Sequence, residues 1–434
     1  MTPPARRLRH ANRHQGELRT ESLDQLLPPE HPARSVWAFV EGLDVSPLLA
    51  KIDAVPGRAG APAFDPRVLL GLWLYATVEG VGASRELEEL TQHHLVYRWL
   101  AGGLEIGYHT LSDFRTGHGD FLSQLLTETV GTLLAAGVVS LTQVAQDGMR
   151  VRASAGASSF RRQPTLEKCL EEAGQQVKAL ENQTAEDGGA AARRSRAARE
   201  RAAGERETRV KEALSVLGDL HKQNAGRAPS RQSEPEKLRA STTDPAARKM
   251  KMPDGGYRPA FNAQFATTTV GGAIVGVAVT TAGTDANQML PMLEQIAERF
   301  GARPAEMLVD GGFAVLEAID AAQSKGTAVY TPVKDAEKQT AAGKDPHARK
   351  KGDTDETAAW RARMKTPEAK ATYKRRASTA EWVNAQVRNR NLYRVTVRGL
   401  AKVRTVLLWH AVAHNFGRIV SAAANRGEGA RPAP

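Results

Sequence analysis

Three acids in this sequence stand where carboxylates could hold metal ions. Asp147 closes the apolar, β-branched run "VVSLTQVAQD", residues 138–147; Asp310 closes the short apolar run of "AEMLVDGGF"; Glu381 lies among basic residues in "YKRRASTAEWVNAQVRNR". Mg²⁺ takes a few carboxylates and keeps positions open for phosphate oxygens and water. Two such ions, roughly 3.5–4 Å apart, activate an attacking oxygen and stabilise the leaving one in line, and three carboxylates can hold two ions. Without metal, clustered acids repel and one tends to keep its proton. Singly, each residue reads as an ordinary strand-end or surface acid; only convergence would make a site. Gly311 and Gly312 would let the chain turn tightly beside Asp310. On a regular helix Lys374, Ser378, Asn384, Ala385 and Arg388 share the face of Glu381, by spacings of three, four and seven, and a carboxylate flanked by cations suits a phosphate grip.

The elements that must position these acids follow from the patterning. Residues 1–35 form a basic, proline-containing arm. Residues 36–136 read as a helical domain. In "FDPRVLLGLWLYATVEG", Val68, Leu69, Leu72, Leu74, Tyr75 and Ala76 make a wide apolar stripe, and Asp65 before Pro66 suits an N-cap with proline in the first turn. Ser84 is expected to cap the next helix. A strand over 138–147 is followed by a long insertion, residues 161–240. There Val210, Leu214 and Leu217 recur at helical spacing, which predicts a helical hairpin or coiled-coil-like arm. Strands resume at "AFNAQFATTTVGGAIVGVAVT", with a hairpin turn at Gly271-Gly272. Asp285 and Gln288 fit a capping box for a helix running to Gly301. A strand to Asp310, a helix over 314–325, the strand "GTAVYTPV", a charged loop over 334–370, a helix bearing Glu381 and the terminal helix "VRTVLLWHAVAHNFGRIVSAAA" complete the chain, with residues 426–434 as a flexible tail.

A strand with Asp, a hairpin, a helix, a strand with Asp and a later helix with Glu follow the order of an RNase H-like fold. The expected class is α/β: an RNase H-like mixed sheet flanked by helices over 137–160 and 241–425, with the helical N-terminal domain and the helical insertion outside it. The stretches "FDPRVLLGLWLYATVEGVGASRELEELTQHHLVYRWLAG", "HTLSDFR", "QDGMRVRASAG", "TTDPAARKM", "FNAQFATTT", "LVDGGF" and "RGLAKVRTVLLWHAVAHNFGR" occur in order. With them the chain resembles the DDE transposases of bacterial insertion sequences, in the subgroup with a helical N-terminal domain and a long insertion after the first aspartate.

The resemblance implies that Asp147, Asp310 and Glu381 are the catalytic triad and bind two Mg²⁺, with Mn²⁺ able to substitute. It implies DNA contacts from Tyr373, Lys374, Arg375, Arg376 and Arg388; in the helical domain, Arg67 and Arg115 read as exposed arginines that could contact duplex DNA or simply be solvated charges. The family pattern around the third acid is Tyr, two residues, Arg, three residues, Glu, six residues, Lys. Here four residues separate Arg376 from Glu381, and Arg388 stands in place of the lysine. Arginine keeps the charge but not the compact ammonium.

Charge agrees with such a partner. The net charge is +12 and the pI about 9.8, as suits a polyanion. Between Arg349 and Arg404, sixteen Lys and Arg face five Asp and Glu, a phosphate-tracking surface whose binding should weaken with salt. A single cysteine, Cys169, excludes a disulfide within the chain and a cysteine-based zinc site. No apolar run reaches membrane length, and the N-terminal stretch lacks the apolar core of a secretory signal, so a cytoplasmic, nucleoid-associated protein is expected. The implied partners are terminal inverted repeats and target DNA, handled by a homodimer or higher synaptic complex. A catalytically silent DNA-binding relative and a metal-dependent nuclease remain as alternatives. His410 and His414, four apart, read as packed histidines rather than zinc ligands. His93-His94 read as surface or interface residues, Asp285 as a helix cap and Trp382 as core.

Overall fold

The computed structural model describes residues 22–55, 57, 61–182 and 190–428. Most of the basic arm and the end of the tail lie outside these residues. The apolar run after Asp65 folds into a helix, Pro66–Val78, buried on nearly all sides. Asp65 caps it, accepting from the Arg67 amide at 2.8 Å. Against it pack Pro32–Glu41, Leu95–Leu100 and Tyr108–Gly117, and Ser84–His93 and Gly119–Ala135 complete the helical domain. Ser84 is the first helical residue rather than the cap; the cap position falls to Ala83, which has no side chain to bond with.

Six strands make the central sheet: β1 (Ser140–Arg152), β2 (Arg248–Lys251), β3 (Tyr257–Val270), β4 (Ile274–Thr280), β5 (Glu306–Leu308) and β6 (Ala328–Tyr330). β4 and β2 follow one another along the outer edge of β3; then come β1, β5 and β6. β1 is antiparallel to β3 and parallel to β5. This mixed order, with helices on both sides, is the RNase H-like arrangement. Gly271 and Gly272 make the β3–β4 turn at φ 78° and 65°, which glycine adopts without steric cost.

β1 does not end at Asp147. Five more residues continue it, paired with β3 as far as Arg152 against Ala260. Met149 and Val151 are buried, so the polar letters that suggested a strand end are alternate positions of one continuing strand. The 334–370 region is not loop throughout. It holds Ala336–Ala341 and Asp355–Lys365, the latter capped by Thr354 and anchored by Trp360, whose indole donates to the Thr331 carbonyl at 3.2 Å. A single buried tryptophan in a charged, alanine-rich stretch gives little periodicity to read.

The terminal helix Leu400–Glu428 joins the parts. Its Leu407, Leu408, Trp409 and Val412 share one apolar cluster with Leu72 and Trp73 of the helical domain and with Val151 and Phe261 of the sheet. A second cluster sets Leu293, Ile296, Ile319 and Trp360 over Val144 and Met307. The insertion is the expected helical hairpin, Gln163–Glu181 and Ala190–Ala225, around Leu166, Ala213 and Leu217. Among the described residues no helix is long and apolar enough to cross a membrane.

Candidate active site

Strand register brings the two aspartates together. β1 and β5 pair Gln143 with Glu306, Val144 with Met307 and Ala145 with Leu308. Carrying that constant offset two positions further sets Asp147 beside Asp310, on strands about 4.8 Å apart. Asp310 lies just past the end of β5. Its Oδ1 accepts from the Gly312 amide at 2.8 Å, and its carbonyl accepts from Thr331 Oγ1 at 2.8 Å, so the turn at Gly311-Gly312 fixes the carboxylate.

The third acid arrives on a helix with an irregularity. Pro367–Arg376 is α-helical, Ala377–Glu381 forms a π turn, and Trp382–Asn389 is α-helical again. A π turn takes one residue more than an α turn. The positions before it are moved round by about 100°, so Arg376, rather than Lys374 or Ser378, becomes the neighbour of Glu381. Arg376 Nη2 donates to Glu381 Oε1 at 2.7 Å, and its Nη1 lies 3.8 Å from Asp147 Oδ2. One guanidinium thus sits between two of the three acids, over the Tyr373 ring at 5.9 Å. Asn384, one turn beyond Glu381, donates to Asp147 Oδ2 at 3.0 Å.

Burial pushes the Asp147 carboxyl up to about 6. Arg376 opposes that shift, the neighbouring Asp310 adds to it, the Gly148 amide opposes it and Asp285 adds to it. Burial also raises Tyr373 above the usual phenol range. Burial therefore disfavours the ionised form of Asp147 even with Arg376 in place. Among the described residues no three Asp, Glu, His or Cys side chains are close enough to hold one ion as they stand. The donor set is nonetheless all hard carboxylate oxygen, as Mg²⁺ prefers, and a cation there would relieve the penalty on ionised Asp147. Glu381, about half exposed, is the acid with freedom to turn.

The remaining sequence candidates divide. Lys374, Arg375 and Arg388 are exposed on the helix that carries Glu381, and Arg375 reaches Gln143 Oε1 at 3.5 Å. Arg67 is half-buried and donates to the Leu43 carbonyl at 3.4 Å. Arg115 is buried and turned inward. It bonds the Gly82 carbonyl and Thr396 Oγ1, with Trp73 beneath it, so it ties the helical domain to the catalytic one rather than offering a surface phosphate contact. His414 is packed: its Nε2 donates to the Gly272 carbonyl at 2.8 Å. Trp382 is 37% exposed, edge-on to His414 and covered by Arg418, rather than sealed in the core.

Asp285 is no helix cap. The helix starts at Met289, with Gln288 at the cap position and no side-chain bond there. Asp285 Oδ1 instead accepts from Gln264 Nε2 at 2.6 Å and Asn262 Nδ2 at 2.7 Å, with Arg150 at 3.4 Å. Gln146 joins through Gln264 at 2.9 Å. This buried network lies directly behind Gly148, where a Cβ would collide with Asp285 Oδ1 and Gln264 Nε2. The signal in the sequence was the pair of amides, Asn262 and Gln264, recurring in an otherwise apolar strand.

The transposase domain family (DUF772) matches residues 21–117, and the transposase DDE domain family matches residues 233–416. Together they cover well over half of the chain. The second match contains Asp310 and Glu381. Asp147 falls between the two, so its place in the site rests on its register with Asp310 and its contacts with Arg376 and Asn384. No curated protein and no solved structure matches the chain.

Proposed function

Since the chain belongs to the DDE transposases, enzymes of the polynucleotidyl transferase and endonuclease type, we propose that it cuts and joins DNA at the terminal inverted repeats of an insertion sequence, with Asp147, Asp310 and Glu381 as the catalytic carboxylates. These three carboxylates would hold two Mg²⁺. When bound, the ions would supply Lewis acidity to a nucleophilic water or terminal 3′-OH and to the departing 3′ oxygen. Arg376, released from the two acids, turns its guanidinium to the scissile phosphate. Lys374, Arg375 and Arg388 track the adjoining backbone, and Asn384 and the Gly148 amide keep the Asp147 carboxylate oriented. The helical domain and the basic arm recognise the repeats, with Arg67 a candidate contact. Two ends must meet, so the working form is a dimer or a higher synaptic complex, acting in the cytoplasm on the nucleoid.

The observation that carries this reading is the meeting of Asp147, in register with Asp310, and Glu381 at one guanidinium. A strand-transfer assay with paired terminal repeats and Mg²⁺ tests it. Joined product is expected. Cutting without joining would make the protein a nuclease, and a mobility shift without either would leave a DNA-binding relative.

A further inference from the structure

Residues 80–83, between two helices of the helical domain, pack against residues 390–396, between the Glu381 helix and the terminal helix. At this junction lies a small, largely enclosed cavity of about 90 Å³. Four basic side chains line it: Arg115, Arg390 and His410, and the exposed Arg394 at its edge. Arg115, Arg390 and His410 each carry an atom that is buried and without a hydrogen-bond partner among the protein's atoms: Nε of Arg115, Nη1 of Arg390 and Nδ1 of His410. Arg115 is 8% exposed and His410 5%. The acid on the lining, Glu86, is exposed at the edge. Among the described residues it makes no ion pair with any of the three arginines.

This is an unfavourable arrangement for a protein alone. A buried cation without a counter-charge costs several kcal/mol, and a buried polar atom without a partner adds to that. Desolvation accordingly lowers Arg115 to about 10. Burial lowers His410 to about 3, and Arg115 and Arg390 push it the same way. Water would satisfy the hydrogen bonds but not the charge. A water needs about 10–15 Å³ of such space, so the cavity has room for an ion of roughly five heavy atoms and none for a nucleotide.

We propose that this junction is a binding site for one tetrahedral oxyanion, a phosphate or sulfate, gripped by Arg115 Nε, Arg390 Nη1 and His410 Nδ1 and pinning the helical domain to the catalytic one. The enclosed cavity admits the free anion and not a phosphate carried on a DNA backbone. The site does not depend on the assignment of the three acids.

Thermal unfolding of the full chain, DNA-free and in chloride, tests it at constant ionic strength. Inorganic phosphate and sulfate should raise the melting temperature saturably by several degrees, where chloride does not. Arg390→Gln, outside the catalytic machinery, should lose that response. A phosphate response no larger than that to chloride, or one unchanged in Arg390→Gln, overturns the proposal. If Arg390→Gln fails to fold, phosphorus NMR of the wild-type chain decides: one saturable bound phosphate per chain supports the site, and none sinks it. A short duplex should leave the phosphate response in place; a duplex that abolishes it would show an open DNA contact and overturn the enclosed free-anion site.

Discussion

Arg376 and Glu381 are five residues apart on one helix and still share a 2.7 Å ion pair, because the helix makes a π turn over Ala377–Glu381. In an unbroken α-helix a residue five positions on lies about 140° round the axis, and the guanidinium could not join Glu381 to Asp147. The extra residue that separates this chain from the pattern it resembles is absorbed locally, as single-residue insertions in helices commonly are. Deleting Ser378 should therefore convert the π turn to an α turn, leave Arg376 and Glu381 four apart, and keep both fold and cleavage. Deleting Ala385 from the regular helix beyond should abolish cleavage, because nothing there takes up the lost residue. Circular dichroism and strand cleavage read both variants. A folded but inactive Ser378 deletion would show that the π turn itself is needed.

Asp147 is expected to hold chemistry at a cost in stability. Its carboxyl is raised to about 6 by burial, so between pH about 4 and about 6 the folded chain binds a proton that the unfolded chain has released. Stability from this group falls as pH rises through that window and stays lower above it, by about 3 kcal/mol without metal. Asp147→Asn should thus abolish cleavage, spare DNA binding and raise the melting temperature at pH 7 by a few degrees, with no gain at pH 4. Glu381→Ala, at a half-exposed site, should abolish cleavage with little change in melting. Wild-type cleavage by either variant would remove that residue from the catalytic set.

Much of this was legible because period and order survive in a sequence. The buried helix after Asp65, the β3–β4 hairpin at Gly271-Gly272 and the helical insertion announce themselves through apolar spacing and glycine. The course of β1 beyond Asp147 did not, because Gly148, Arg150 and Arg152 interrupt the apolar run while Met149 and Val151 still pack inward. The three candidate acids could be picked out, but not the geometry that surrounds them. The π turn has no compositional mark, and a 3.6-residue period carried through it selects Lys374 where the fold uses Arg376. Arg115 looks like any surface arginine until its partners, Gly82 and Thr396, are brought beside it from 33 and 281 residues away.

The network behind Gly148 should couple to catalysis without touching substrate. Gly148→Ala places a methyl against Asp285 and Gln264. Overpacking of this kind costs about 1–3 kcal/mol, and the backbone shift needed here would move Asp147. Cleavage should fall by at least tenfold while DNA affinity holds. Asp285→Ala removes the obstructing carboxylate, so the double variant should recover part of the activity lost in Gly148→Ala. Strictly additive losses in the double-mutant cycle would show that the two positions act independently.

Arg388 is exposed one helical turn beyond Asn384. As a phosphate contact, Arg388→Ala should weaken binding about equally for specific and unrelated duplexes, and should reduce the slope of log affinity against log salt by about 0.9. Binding titrations between low and moderate salt measure it. An unchanged slope would take Arg388 off the DNA path.

The acid side of the stability curve should report the terminal helix. Burial lowers His414 to about 4 and His410 to about 3. Unfolded histidine titrates near 6.5, so between pH about 6.5 and about 4 the unfolded chain binds protons at both residues and the folded chain does not. Stability from these groups is complete above pH about 6.5 and is lost as pH falls through that window, by about 1.4 kcal/mol per pH unit for each residue. His414→Gln can still donate to the Gly272 carbonyl, so it should melt near the wild type at pH 7.5 and be the more stable of the two at pH 5. Denaturant unfolding across pH 4.5–7.5 should give a slope shallower by about one proton. Parallel curves for the two proteins would mean that His414 takes up its proton without unfolding the helix around it.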